Sequence, residues 1–190
     1  MKILRQLFRS LEVPEDLVGA IVDWIDADSD LTGSAGAEDG YYLGLARPFR
    51  AANQPMVQVD ELHRIRGFDA KLVARVKPFV TALPGRTPVN VNTAPAEVIA
   101  AIAPDQPADD IRAFIDARAS RPFKATAEIA ERWKKVPAGA PGTDLDVRTS
   151  YFIARIQVSQ DDVQLASEAL IERKPNPPGV TAILWRRPLY

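Results

Sequence analysis

The chain has 190 residues, 46% of them hydrophobic, with 24 basic and 25 acidic side chains and a formal net charge of −1. That size and apolar content support one sizeable core or two small ones and exclude a disordered tail, while near-neutrality supplies no global field for drawing in DNA, RNA or an anionic membrane. With no cysteine and His63 as the single histidine, disulfides are excluded and zinc, copper or iron–sulfur centres have almost no ligands to draw on.

Ile3, Leu4, Leu7, Phe8 and Leu11 recur on one face at helical spacing and predict a first helix. The amphipathic pattern after Lys2 and Arg5 is not the continuous hydrophobic region of a signal peptide, and no apolar run approaches transmembrane length. A second helix opens around Pro14, carries Leu17, Ile21, Trp24 and Ile25 on one stripe, and runs into Asp26-Ala27-Asp28-Ser29-Asp30. A loop containing Gly33 and Gly36 then leads to Glu38-Asp39-Gly40-Tyr41-Tyr42. The segment gathers the carboxylates of Asp26, Asp28, Asp30, Glu38 and Asp39 with no Lys or Arg among them, so it repels itself unless a cation sits in it. Alternating Asp residues leaving a helix aim several oxygens at one point, which suits a hard cation and calcium above all. The helix-loop-helix calcium motif is matched only in part. Counted from Asp26, Leu31 stands where that motif needs glycine, Ala37 stands where it needs a bidentate Glu, and Glu38 falls one residue late. The expectation is an irregular oxygen cage, with Asp26, Asp28 and Asp30 at one end and Glu38 and Asp39 at the other. The alternative is that these acids cap a helix and solvate a loop. Tyr41 and Tyr42 are expected to anchor the loop by packing.

Next, Asp60 reads as an N-cap, followed by Leu62, Ile65, a turn at Gly67, and Leu72, Val73 and Val76 before Pro78: a helical hairpin. It is similar to helix-hairpin-helix units, in which Arg64, Arg66, Lys71 and Arg75 would meet phosphate, and this defines a DNA-binding alternative. Against it, the turn has one glycine where nucleic-acid-binding hairpins show two, and the chain has a slight acidic excess. The simpler reading packs Leu62, Ile65, Leu72 and Val76 into a helical core. His63 lies on the same hairpin and reads as a partly exposed, non-catalytic imidazole. There is no glycine-rich phosphate loop and no Gly-x-Ser-x-Gly elbow, and the acidic cluster lacks a His or Lys partner, so the chain reads as a non-enzyme. A divalent-metal hydrolase built on Asp26, Asp28 and Glu38 is the less favoured alternative.

Asn90, Asn92 and Thr93 are expected to close a turn, with Thr93 capping a helix that carries Val98, Ile99 and Ile102. Asp109 is read as the cap of another helix with Ile111, Phe114 and Ile115, and Thr126 as the start of a short one ending near Trp133. Beyond the turn-rich Pro137 to Gly142 stretch the period becomes two: Phe152, Ala154, Ile156 and Val158 alternate with Ile153, Arg155 and Gln157. Val163 to Arg173 and Val180 to Arg187 follow as further strands, joined through Ser159–Asp162 and the proline-rich Lys174–Gly179 run. Short connections favour antiparallel neighbours. The fold class is therefore α+β, with a large helical domain over 1–145, including the hairpin element, and a small antiparallel meander over 146–190. Three strands alone are marginal, so one sheet face needs cover, either from the helix at 3–11 or from an element missing from the chain. Ile183 and Trp185 read equally as sheet core or as a subunit contact.

The blocks Val22 to Asp30, Ala37 to Tyr42, Phe49 to Pro55, Val57 to Phe68 and Pro88 to Val98 occur in this order, and together the chain resembles the minor pseudopilin K (GspK) family of the type II secretion system. With the terminal strands, the resemblance covers nearly the whole chain. It implies a helical domain inserted into a pseudopilin sheet and a structural role at the tip of a periplasmic pseudopilus during protein export across the outer membrane. It further implies minor pseudopilins I and J as partners with H below, calcium in the helical domain, and no nucleic acid. Exported substrates are a further candidate partner. Family members begin with a leader peptide and a long hydrophobic helix anchored in the inner membrane. Neither is present here, so the chain reads as a truncated member that has also lost the strand or strands preceding the insertion.

Overall fold

The computed structural model describes residues 1–133, 145–174 and 179–189. The expected turns at Pro137–Gly142 and within Lys174–Gly179 therefore lie wholly or mostly outside the described residues. Helix α1 (Lys2–Ser10) turns at Glu12 and leads to α2 (Leu17–Ile25). After the acidic loop come the single turn α3 (Asp39–Tyr42), a 3-10 helix (Val59–Arg64), α4 (Ala70–Val76) and a second 3-10 turn (Lys77–Phe79). Strand β1 (Val89–Asn90) precedes α5 (Ala96–Ile102), α6 (Ala108–Ser120) and α7 (Ala127–Arg132). Strands β2 (Leu145–Asp146), β3 (Tyr151–Gln160), β4 (Val163–Arg173) and β5 (Thr181–Leu189) complete the fold. No helix among the described residues is long and apolar enough to cross a membrane.

Two small cores lie on either side of α1. Leu7 joins Val98, Ile99, Ile111, Phe114, Ile129 and Trp133, whereas its neighbour Phe8 joins Leu17, Val18, Ile21, Trp24, Tyr42, Leu62, Ile65 and Val76. Successive residues on a helix point about 100° apart, so one short helix with a wide apolar face serves both clusters. That use of α1 removes one of the two covers considered for the terminal sheet, the helix at 3–11: it packs along α5 instead.

Several helix starts differ from the sequence reading. Asp60 is no cap, because its carboxylate takes the Lys77 ammonium at 2.6 Å, and Glu61 folds back to accept from the Val57 and Gln58 amides. The segment winds as a 3-10 helix and not as the first arm of an α-hairpin. Asp69 caps α4 by accepting from the Leu72 amide at 2.8 Å. The helix ascribed to Thr93 begins only after Pro95, whose fixed φ suits a helix start, and Asp109 lies inside the first turn of a helix that begins after Pro107. Asn92 does something else: its side chain accepts from the Phe123 amide at 2.9 Å and donates to the carbonyls of Phe123 and Val147 at 2.9 and 3.4 Å, tying three segments together. Asn90 does close the turn, accepting from the Asn92 amide at 2.9 Å.

β1 and β2 pair in parallel, Val89 opposite Leu145 and Asn90 opposite Asp146, so β2 belongs by its pairing to the helical part although it straddles the expected boundary at 145/146. β3, β4 and β5 form the expected antiparallel meander, with an irregularity at Leu170/Ile171. Cross-strand partners share a face, and the two faces differ. One carries Ile153, Leu170 and Trp185 with Arg155, Glu168 and Arg187; Leu170 and Glu168 are buried, and Arg187 donates to the Gln58 side chain of the helical part. The other carries Phe152, Ile156, Val158, Val163, Leu165 and Ile183, all exposed. Trp185 thus lies partly buried toward the body and Ile183 on the open face.

Candidate metal centre

Helix α2 ends at Ile25, and Asp26 leaves it with extended backbone while its amide still closes the last turn on the Val22 carbonyl. Asp26 and Asp28 therefore sit beyond a helix C-terminus, where the macrodipole is negative and gives a carboxylate no support. Across the loop, Glu38 stands at the N-terminal end of α3, its carbonyl accepting from the Tyr41 and Tyr42 amides. The loop brings carboxylate oxygens of Asp26, Asp28 and Glu38 within 4.8 Å of one another. Glu38 is 7% exposed, and both its Oε1 and the Asp26 Oδ1 are buried without a hydrogen-bond partner among the described residues. Burial first, and then the neighbouring carboxylates, push the Asp26 and Glu38 carboxyls above their ordinary values.

Two of the five expected ligands do not join this set. Asp39 points away: it holds the Arg50 guanidinium at 2.7 Å and accepts from the Ala51 amide at 3.0 Å, so the expectation of a cluster without a nearby Arg fails at this residue. Asp30 is exposed and falls outside the convergent group, although its charge still acts on Asp26; its amide donates to Asp28 Oδ1 at 2.9 Å. Sequence reasoning also passed over Asp23. One helical turn before Asp26, this residue is fully buried, and both its oxygens accept from the Thr32 amide, at 3.0 and 3.2 Å.

Tyr42 is buried edge-on against Trp24, with ring centroids 5.3 Å apart, and its hydroxyl accepts from the Arg66 amide at 3.4 Å, so it does anchor the loop. Tyr41 is more exposed and lies under the Arg66 guanidinium, which donates to the Gly36 carbonyl at 3.0 Å. Two of the hairpin's four expected phosphate-facing cations are engaged by the chain itself, Arg66 donating to the Gly36 carbonyl of the acidic loop and Arg75 to the carbonyls of Leu11 and Glu12, while Arg64 and Lys71 are exposed; Lys77 holds Asp60. Of the residues in the packing reading, Leu62, Ile65 and Val76 are buried and Leu72 packs half-buried against the same core, joined by the buried Val73, and nothing supports the DNA-binding alternative. His63 is exposed on the 3-10 helix.

The fold is shared with a solved protein. A chain of the GspK-GspI-GspJ complex from the type 2 secretion system of enterotoxigenic Escherichia coli superposes with a TM-score of 0.84 at 27% identity, over 100% of this chain and 69% of that one. An α+β minor pseudopilin of the secretion apparatus is therefore the class that the fold defines. Family profiles described as type II secretion system (T2SS), protein K, match residues 1–85 and 89–148. Proteins named type II secretion system protein K are 36% identical over 184 residues in Aeromonas hydrophila and 32% over 177 in Pseudomonas aeruginosa, each match covering 91% of this chain. The chain belongs to the type II secretion system protein K family. It spans 56% and 53% of those two relatives, about half their length.

Proposed function

We propose that this chain is the periplasmic part of a structural, non-catalytic minor pseudopilin that assembles with the minor pseudopilins I and J at the tip of the pseudopilus. H joins below, and a preceding segment anchors the protein in the inner membrane. The observation carrying this is the likeness over the entire chain to a component of a complex with those two partners. The open apolar sheet face around Ile156, Val158 and Leu165 suits a protein that is completed by other elements, since contiguous exposed apolar area marks an interaction surface. Mixing the chain with folded I and J should give one ternary peak on size-exclusion chromatography. Separate elution of all three would overturn the assembly reading.

The acidic cradle is assigned to calcium. Asp26, Asp28 and Glu38 fit a hard cation because they offer convergent carboxylate oxygens, two of them buried and otherwise unpartnered, and no nitrogen or sulfur donor. Asp26 and Asp28 beyond the end of α2 and Glu38 at the start of α3 would hold the ion, which would supply charge compensation there. Millimolar extracytoplasmic calcium suits a site of modest affinity. The role is to order the loop of the helical part, because binding to the folded form alone adds directly to its stability. Calorimetric titration of chelated protein, with magnesium as control, tests the assignment; absence of calcium-selective heat would sink it.

A further inference from the structure

Asp23 has the features of a group that builds the cradle without entering it. A buried carboxylate is costly unless its oxygens are satisfied, and here both are given to a single donor, the Thr32 amide in the middle of the acidic loop. The convergent set of Asp26, Asp28 and Glu38 does not include it. The loop lies so close to α2 that a Cβ at Gly19 would meet the Thr32 carbonyl oxygen at 2.0 Å, and one at Gly36 would meet Asp23 Oδ2 at 2.5 Å and the Thr32 nitrogen at 2.8 Å. Two glycines thus leave room for one clamp, in which the Asp23 carboxylate grips the Thr32 amide and the loop folds back across the helix. The clamp sits between the two ends of the site. Asp26 and Asp28 lie on the near side of Thr32 and Glu38 on the far side, so the position of Thr32 decides how far apart they fall.

We propose that Asp23 is the positioning residue of the metal centre: through the Thr32 amide it preorganises the loop so that Asp26, Asp28 and Glu38 converge, and it does not itself ligate the ion. The inference rests on the calcium reading of that site. It follows that an acceptor is needed at residue 23 but a charge is not. Asp23→Asn keeps an oxygen for the Thr32 amide and should hold calcium within a few-fold of wild type, whereas Asp23→Ala should weaken it about 10- to 100-fold, the usual cost of losing a supporting group behind a ligand. Gly36→Ala leaves every carboxylate in place and crowds only the clamp, so it should weaken calcium as well.

The experiment is calcium titration of the four proteins by calorimetry, with amide hydrogen exchange at Thr32 read in chelator. Thr32 should be protected in wild type and Asp23→Asn and exposed in Asp23→Ala, with no ion present. Asn costing as much as Ala would show that the charge acts directly and overturn the positioning role; so would Ala or Gly36→Ala binding calcium like wild type. If Asp23→Ala fails to fold, Asp23→Asn and Gly36→Ala still decide. Calcium binding by wild type with unaffected variants defeats this inference alone, whereas no binding by wild type defeats the calcium reading and the inference with it.

Discussion

Acids withdrawn from water in two regions of this molecule are handled in opposite ways. Glu168, in the middle of the terminal sheet, is held by Arg187 at 2.5 Å and Arg155 at 3.2 Å, and Arg187 reaches on to Gln58 of the helical part. Burial pushes its carboxyl up, but the hydrogen bonds and charges of the two arginines together outweigh this and hold it below its ordinary value. At the end of α2, Asp26 and Glu38 are pushed up instead, and among the described residues no cation pairs with them although Arg50 and Arg66 are close by in the fold. Arg50 serves Asp39, and Arg66 serves the Gly36 carbonyl. A carboxylate whose counter-charge is built in has a structural task. Those left without it, while nearby arginines serve other groups, are what motivates the proposal of a charge from outside.

The contrast is broken most strongly by removing a cradle ligand. At roughly a hundred times its dissociation constant, calcium should stabilise wild type by about 2.7 kcal/mol, and Asp26→Ala should lose nearly all of that while melting in chelator no lower than wild type. Melting curves in calcium and in chelator check this, and equal shifts in both conditions would refute the ligand assignment. Next in size is the sheet. Arg187→Ala leaves Glu168 buried with only the exposed Arg155, and should cost about 2 kcal/mol, the usual worth of a charge-assisted hydrogen bond, regardless of calcium. Its loss of the contact to Gln58 should also loosen the sheet against the helical part, visible as faster amide exchange in β4 and β5 than in α2.

Periodic elements were legible because their signal is local. Strand positions 151–160 and 163–173 follow from alternation, and α1 and α2 from their apolar stripes. Asp26, Asp28 and Glu38 were legible only within a set of five, because alternation after a helix points to Asp30 as readily as to Asp26 and Asp28 and does not separate Glu38 from Asp39. The pairing of Asp39 with Arg50 was not, since it depends on a fold-back across 11 residues that nothing in the spacing announces. Asp23 reads as one more polar residue of a helix until Thr32 is placed against it; an acid one turn before Asp26, flanked by the glycines at 19 and 36, was the available signal. The β1–β2 ladder is two residues long on each side and carries no periodicity at all. Asn92 was read as a turn residue, but its main bonds are to Phe123 and Val147, which sequence distance hides.

The finest test of the contrast is acid, because the two regions respond with opposite signs. Asp26 and Glu38 have folded values raised above the unfolded ones, so the stability they contribute is fully present at low pH and is lost as pH rises through the folded values. Calcium-free protein should therefore melt slightly higher as pH falls from 7 toward the carboxylate range. Glu168 has a lowered folded value, so its contribution is present above the ordinary 4.5 and is lost as pH falls through the folded value. With calcium present the first effect reverses, since protons then compete with the ion for the same oxygens. Melting temperatures in calcium and in chelator should accordingly converge on acidification, and Arg187→Ala should remove the loss at the acid end without altering the convergence. The effects of Asp26 and Glu38 in chelator and of Glu168 at the acid end should each be under about 1 kcal/mol after solvent screening. Curves that stay parallel across the range would mean that the cradle carboxylates feel neither one another nor an ion, and the difference between Glu168 and the cradle acids would then be one of packing alone.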